Sequence, residues 1–279
     1  MTPRMAGVQG MSEEILDRAA PEDARRIAYG EDVNQFGELR LPGGAGPWPL
    51  AICLHGGFWR ARYDLVHLGH LCVALTAAGI ATWNVEYRRV GHESGGWPET
   101  FLDVGRGADY VRELAREYPL DLARVVTVGH SAGGHLALWL AGRWRVPAGS
   151  EIASADPIML HGAVTLAGVV DLARAYALGL SAGATGDFLG GSPEEVPDRY
   201  IAASPVALLP LGIPQLLVHG TVDDSVPFEL SEKYVEAARS AGDEATLLAL
   251  PGAGHFEVID PLSAEWPVIL AAIKGLVAG

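Results

Sequence analysis

A β-branched apolar run, Val125-Val126-Thr127-Val128, ends in Gly129-His130-Ser131-Ala132-Gly133-Gly134-His135, and the helix formers Leu136 to Leu140 follow at once. A strand that gives way to a helix in so few residues puts Ser131 on a sharp turn, the G-x-S-x-G pattern of a nucleophile elbow. The turn forces the serine into a strained backbone conformation, and Gly129 and Gly133 leave no side chain to crowd it or the neighbouring strands. The Ser131 hydroxyl then stands clear of the sheet at a helix N-terminus, where the dipole and free N–H groups favour developing negative charge.

Around this turn the chain alternates helix and strand patterns, the signature of a mostly parallel sheet covered on both faces. Residues 1–25 are polar and mixed and read as a partly flexible N-terminal extension, with a short helix opening at Ser12-Glu13-Glu14 and closing before Pro21. Residues 26–279 read as one α/β domain. Arg26 to Tyr29 and Phe36 to Leu41 alternate like edge strands, and Leu50 to Leu54 is a buried strand running into His55-Gly56-Gly57-Phe58-Trp59. Helices are expected over 67–78, 99–117, 132–144 and 265–277, and further strands over 81–87, 124–128, 163–170, 215–218 and 245–250. Between Asp171 and Gln215 runs a Gly-, Pro- and Ala-rich excursion, about 172–214, long enough to form a small cap over the active-site end.

With 279 residues, 49% of them hydrophobic, and no linker, the chain can bury the core of one large domain. A formal charge of −14 argues against nucleic acid and anionic membrane surfaces as partners, and mildly against strongly anionic substrates. Cys53 and Cys72 fall in apolar strand and helix patterns, so both read as buried thiols of a reducing compartment. Residues 1–10 lack the apolar run of a signal peptide, and no stretch approaches the roughly 20 apolar residues that span a bilayer. The expectation is a soluble cytoplasmic protein; nothing in the sequence specifies an oligomeric state.

A serine is a weak nucleophile unless a base activates it, and the base needs an orienting acid. Asp223 follows the strand ending at Val218, and His255 follows the strand ending at Leu250. Both therefore lie at carboxyl ends of strands, where open α/β sheets place their sites, in the order serine, acid, histidine. Asp224 competes for the acid role; Asp223 is favoured because Gly220 ends the strand and lets the loop turn back three residues later. His130 and His135 flank the elbow and are expected to hydrogen-bond within it. His67 and His70 stand three apart on a helix with no carboxylate or further histidine placed to complete a metal site, so a core or surface role is expected and no metal. Charge on a carbonyl oxygen under attack needs donors, and the backbone N–H groups of Gly57, Phe58 and Ala132 are the candidates for this oxyanion hole.

On these residues the chain resembles the α/β-hydrolases, more narrowly the esterase and lipase branch that carries His-Gly-Gly before the oxyanion loop. The segment His55 to Trp59 is similar to the kynurenine formamidase (arylformamidase) group, and Gly129 to His135 to that group and to bacterial small-acyl esterases. The resemblance covers roughly residues 26–278. One departure from the hormone-sensitive-lipase pattern is Phe58 in place of a third glycine; its amide still donates, while its side chain is placed to line the acyl side.

The expected reaction is acyl transfer from a small-molecule ester or amide to Ser131, with His255 as base, Asp223 orienting it, water releasing the acyl group, and no cofactor. A carboxylesterase acting on small acyl or aryl esters is the first reading. An arylformamidase is the second, and a peptidase or a non-catalytic hydrolase-like binding protein follows. Trp59, Trp97, Phe188 and Phe256 are the candidate substrate-binding residues, with Phe228 on a neighbouring loop. Glu86 and Arg88 are read as a structural pair.

Overall fold

The computed structural model describes residues 14–279. Its centre is an eight-stranded sheet: β1 (Arg25–Ala28), β2 (Phe36–Arg40), β3 (Trp48–Leu54), β4 (Ala81–Val85), β5 (Leu120–His130), β6 (Gly162–Leu166), β7 (Gln215–Gly220) and β8 (Ala245–Leu250). The spatial order is β1-β2-β4-β3-β5-β6-β7-β8, with the β1–β2 and β2–β4 pairings antiparallel and the remaining five parallel. This is the α/β-hydrolase arrangement. From β3 the chain first steps outward to β4 and then crosses back to β5. That reversal opens a crevice at the carboxyl ends of β3 and β5, the place where such sheets bind ligands.

The helices are α1 (Glu14–Asp17), α2 (Gly69–Ala77), α3 (Glu99–Asp109), α4 (Val111–Glu117), α5 (Ala132–Gly142), α6 (Leu172–Ala177), α7 (Leu180–Leu189), α8 (Pro197–Ala203), α9 (Glu229–Ser240) and α10 (Trp266–Ala278). Strand periodicity sorts the core into two layers. Leu50, Ile52 and Leu54 face one cluster with residues of α3, α4, α5 and α9, while Ala51 and Cys53 face another with residues of α2 and α10. Both faces of β3 are thus apolar, as a parallel strand buried on two sides requires.

Several boundaries differ from the sequence reading. The helix expected over 99–117 is interrupted at Tyr110, where Asp109 turns its carboxylate to Arg143 and to the Ile158 N–H. The strand expected over 163–170 ends at Leu166, because Ala167 takes a positive φ of 51° and turns the chain toward α6. Residues 1–13 lie outside the described residues, and with them the first part of the expected extension. Its described part is anchored: Ile15 is fully buried, and Arg18 forks onto Asp260 at 2.8 and 2.9 Å. Cys53 and Cys72 are both buried free thiols. Among the described residues no helix is long and apolar enough to cross a membrane.

Candidate active site

β5 delivers Ser131 with φ 55° and ψ −118°, a conformation that a non-glycine residue holds only under constraint. The constraint is close backbone packing. A Cβ on Gly129 would fall 2.0 Å from the Gly133 carbonyl oxygen, and one on Gly133 would fall 2.0 Å from that of Leu54. Only glycine lets the turn and β3 approach this closely. The serine is almost fully buried and lines a pocket of about 260 Å³ together with His255, His130, His67, Gly57 and Phe58.

His255 follows β8, and its Nδ1 lies 2.7 Å from Asp223 Oδ2. Among the described residues Asp224 accepts only from the Ser225 hydroxyl, at 3.2 Å. The Asp223 carboxylate collects further donors, since Oδ1 accepts from the N–H groups of Ser225 and Val226 at 2.9 and 2.8 Å, and Oδ2 also faces His219 Nε2 at 3.2 Å. Burial alone would push this carboxyl up. The hydrogen bonds from His219, His255 and the Val226 N–H outweigh it and hold Asp223 well below the usual carboxylate range, so it stays ionised.

The loop after β3 carries three successive positive φ values: Gly57 at 111°, Phe58 at 48° and Trp59 at 55°. Left-handed conformations at two non-glycine residues cost on the order of 1–3 kcal/mol each and persist only where the surroundings over-determine them. Here Trp59 is locked, its ring stacked on Phe188 at 4.5 Å and its Nε1–H donated to His135 Nδ1 at 3.2 Å. Among the described residues nothing accepts from the N–H groups of Gly57 and Phe58, and that of Ala132 opens α5, where no carbonyl one turn back exists within the helix. The three amides expected to form an oxyanion hole thus lie in strained or helix-opening backbone around the serine's pocket.

Beneath this loop, Glu86 receives His55 Nε2 at 3.0 Å, Arg89 Nη1 at 2.5 Å and the Leu65 N–H at 3.2 Å. Arg88 points away and forks onto Asp103 at 2.7 Å on both arms. The expected Glu86–Arg88 pair is therefore replaced by two separate networks. After β4 the chain leaves strand geometry, so residues 86 and 89, rather than 86 and 88, share a side.

The aromatic candidates divide. Phe256 lines the pocket, as does the Phe58 side chain. Trp59 and Phe188 do not: both are fully buried in the larger core cluster, where they stack on each other and tie α7 beneath the loop after β3. Trp97 also lies off the pocket, with its Nε1–H on Glu151 at 2.9 Å and its ring edge-on to Phe101. Phe228 opens α9 and packs edge-on to His219. Among the described residues none between 172 and 214 lines the pocket, which is walled instead by Leu16, Arg62 and Tyr63. Sequence reasoning missed these three because loop and N-terminal residues carry no periodicity.

The flanking histidines serve as supports. His130 Nε2–H donates to the His255 carbonyl at 3.0 Å, and His135 bonds Ala203 and Trp59. His67 is buried against the pocket, and burial followed by the neighbouring His55 pulls its pKa down to about 3.

Residues 39–237 match the BD-FAE family model. The chain is 27% identical over 254 residues to Esterase LipC of Mycobacterium tuberculosis, covering 85% of this chain and 60% of that one. It is 28% identical over 256 residues to a probable isoprenylcysteine alpha-carbonyl methylesterase of Oryza sativa subsp. japonica, covering 85% and 59%. The chain thus spans about three fifths of the length of these curated relatives. Among solved structures, a truncated carbohydrate esterase from gut microbiota superposes with a TM-score of 0.79 at 20% identity, over 94% of this chain and all of that one. Esterase 2 of Thermogutta terrifontis superposes at 0.74 with 23% identity, over 94% of each.

Proposed function

The chain belongs to the BD-FAE family, and from that premise we propose that it hydrolyses carboxylic esters of small acyl or aryl substrates through Ser131, His255 and Asp223. The observation that carries this reading is geometric. Ser131 is held in a strained turn beside a histidine whose Nδ1 is already committed to a buried, ionised Asp223. That commitment leaves His255 Nε2 as the basic nitrogen, on the ring that lines the serine's pocket. In the proposed cycle Nε2 takes the Ser131 proton as Oγ attacks the ester carbonyl, and the amides of Gly57, Phe58 and Ala132 receive the oxyanion. The tetrahedral intermediate then collapses as Nε2–H protonates the leaving alcohol. Water, deprotonated by the same nitrogen, attacks the acyl-enzyme and releases the acid.

We read residues 26–279 as one catalytic domain, with the excursion 172–214 packed beside the site. The relatives named above are ester hydrolases, and formamide hydrolysis gains no support from them. The test is labelling with a fluorophosphonate probe together with kcat/KM for p-nitrophenyl acetate through octanoate. The expected result is labelling and turnover by the native chain and neither by Ser131→Ala; equal labelling of both would remove the serine assignment.

A further inference from the structure

In a chain of net charge −14, no aspartate or glutamate among the described residues lines the pocket beside Ser131. Asp223 lies behind His255 with its side chain fully buried. Burial keeps the lining imidazoles of His67 and His130 neutral at ordinary pH. Among the described residues the permanent charge on the lining is the guanidinium of Arg62.

Among the described residues Arg62 is positioned without being neutralised. Its guanidinium lies over the Tyr63 ring, 4.5 Å from the centroid, and it donates to the Tyr63 hydroxyl. Tyr63 in turn packs against the oxyanion loop so closely that a Cβ on Gly57 would fall 2.5 Å from Tyr63 Cβ. The cation is thus stacked on a ring that touches the loop expected to receive the substrate carbonyl. Among the described residues no carboxylate is within ion-pair distance of Arg62. Asp64, two residues on, caps the following turn by accepting the Val66 N–H at 2.9 Å. Arg60, two residues earlier, is engaged with the Ser181 carbonyl at 2.7 Å and with Asp187 at 3.4 Å.

We propose that Arg62 forms an anion subsite of this pocket, so that the preferred esters carry a carboxylate or similarly compact anionic group a few bonds from the scissile carbonyl. This rests on the esterase reading above. A planar guanidinium recognises a carboxylate through two parallel N–H···O bonds, and the Tyr63 ring supports the plane that presents them. The remaining lining, Leu16, Phe58, Tyr63 and Phe256, accommodates the apolar part of such a substrate. The negative charge of the whole chain acts over distances that salt screens within about 8 Å, whereas a contact with Arg62 acts inside that length. Because Arg62 itself is exposed, the expected preference is about tenfold rather than thousandfold.

The test uses two matched substrate pairs, placing the anion on either side of the ester. One is p-nitrophenyl hemiglutarate against p-nitrophenyl pentanoate; the other is 4-acetoxybenzoate against its methyl ester. The native chain, Arg62→Gln and Arg62→Lys are compared, with Ser131→Ala as blank. The charged-to-neutral ratio of kcat/KM is expected to fall about tenfold in Arg62→Gln for at least one pair, with Arg62→Lys in between. Calorimetric binding of benzoate to Ser131→Ala with and without Arg62→Gln reads the subsite independently of turnover, and an affinity about tenfold weaker in the double variant is expected. Ratios and benzoate affinity that do not depend on residue 62 overturn the subsite. Absence of turnover above the blank overturns the esterase reading instead, while the benzoate arm still decides the subsite.

Discussion

His219 Nε2 lies 3.2 Å from Asp223 Oδ2, the same oxygen that His255 Nδ1 reaches at 2.7 Å. On the other side of the His219 ring, Nδ1 is 2.7 Å from Ser231 Oγ. Because Nε2 faces two oxygens, those of Asp223 and the Val226 carbonyl, it must carry the hydrogen, and the Ser231 hydroxyl donates to Nδ1. A fully buried second histidine therefore helps hold the Asp223 carboxylate in place and ionised.

His219→Leu removes one donor from that carboxylate. Hydrogen bonds to charged groups contribute about 1.5–3 kcal/mol, so kcat/KM is expected to fall roughly tenfold or more. With one donor fewer the Asp223 carboxyl rises toward its ordinary range. Ser231→Ala, a smaller change, should lower kcat/KM by less. A His219→Leu variant with native kcat/KM would reduce His219 to a packing residue.

Asp223→Asn is expected to lower kcat by roughly 10³–10⁴, because an amide in that place cannot stabilise the imidazolium or fix the tautomer that leaves Nε2 basic. Asp224→Asn should stay within about twofold, its carboxylate touching only Ser225. Steady-state kinetics on both variants decide the matter, and the reverse ranking would move the acid by one residue.

Gly133→Ala should disable the elbow. The added Cβ meets two backbone oxygens, of Leu54 at 2.0 Å and His55 at 2.4 Å, neither of which can rotate away. Overpacking of this kind costs on the order of 1–3 kcal/mol or more. Gly149→Ala, where a Cβ meets open space, is the control. Thermal melts should show a drop of several degrees for the first variant and little change for the second; equal melting points would contradict the packing described for the turn.

The strand-turn-helix at Ser131 was legible because its residues are contiguous and each has one physical reason to be there. The pairing of Asp223 with His255 was legible because an open sheet puts its sites at strand ends, and each stands within five residues of one. What stayed hidden depends on contacts between distant segments. Trp59 and Phe188 occupy loops that border the site, yet their rings turn inward to stack on each other. Nothing in the pattern around Glu86 chooses Arg89 over Arg88, because that choice is set by where the chain leaves β4. His219 stands one residue past the strand expected over 215–218, and its placement depends on a hydroxyl twelve residues away on α9.

Acid should destabilise the fold from about pH 6.5 downward. His135 is fully buried, its Nε2–H on the Ala203 carbonyl and its Nδ1 accepting from Trp59, so a second proton would point at an N–H. Burial pulls its pKa down to about 4, and that of His67 to about 3. Both are lowered below the unfolded value, so the unfolded chain binds protons first and stability falls as pH drops below about 6.5, by about 2 kcal/mol per histidine at pH 5. Asp223 works in the same direction at lower pH. Its depressed value adds stability that is present above about pH 4 and lost as pH falls further. Urea melts at pH 7.5, 6.0 and 5.0 should show the midpoint falling steadily, and a flat profile would mean that these histidines protonate without leaving the core.

The chain-length preference should be set by Leu16. α1 brings this side chain to the pocket wall, and two anchors keep it there: Ile15, fully buried beside it in the core, and the two hydrogen bonds from Arg18 to Asp260. Leu16→Ala removes a three-carbon tip from a pocket of about 260 Å³ and opens room for a longer acyl chain. Each newly buried methylene contributes about 0.8 kcal/mol, close to fourfold in kcat/KM. The octanoate-to-acetate ratio should therefore rise several-fold. Arg18→Ala loosens the arm without touching the pocket, and its partly exposed pair with Asp260 contributes modestly, so the same ratio should rise by less. If both variants keep the native chain-length profile, the wall that limits the acyl group lies elsewhere, and Phe58 and Phe256 become the residues to shorten.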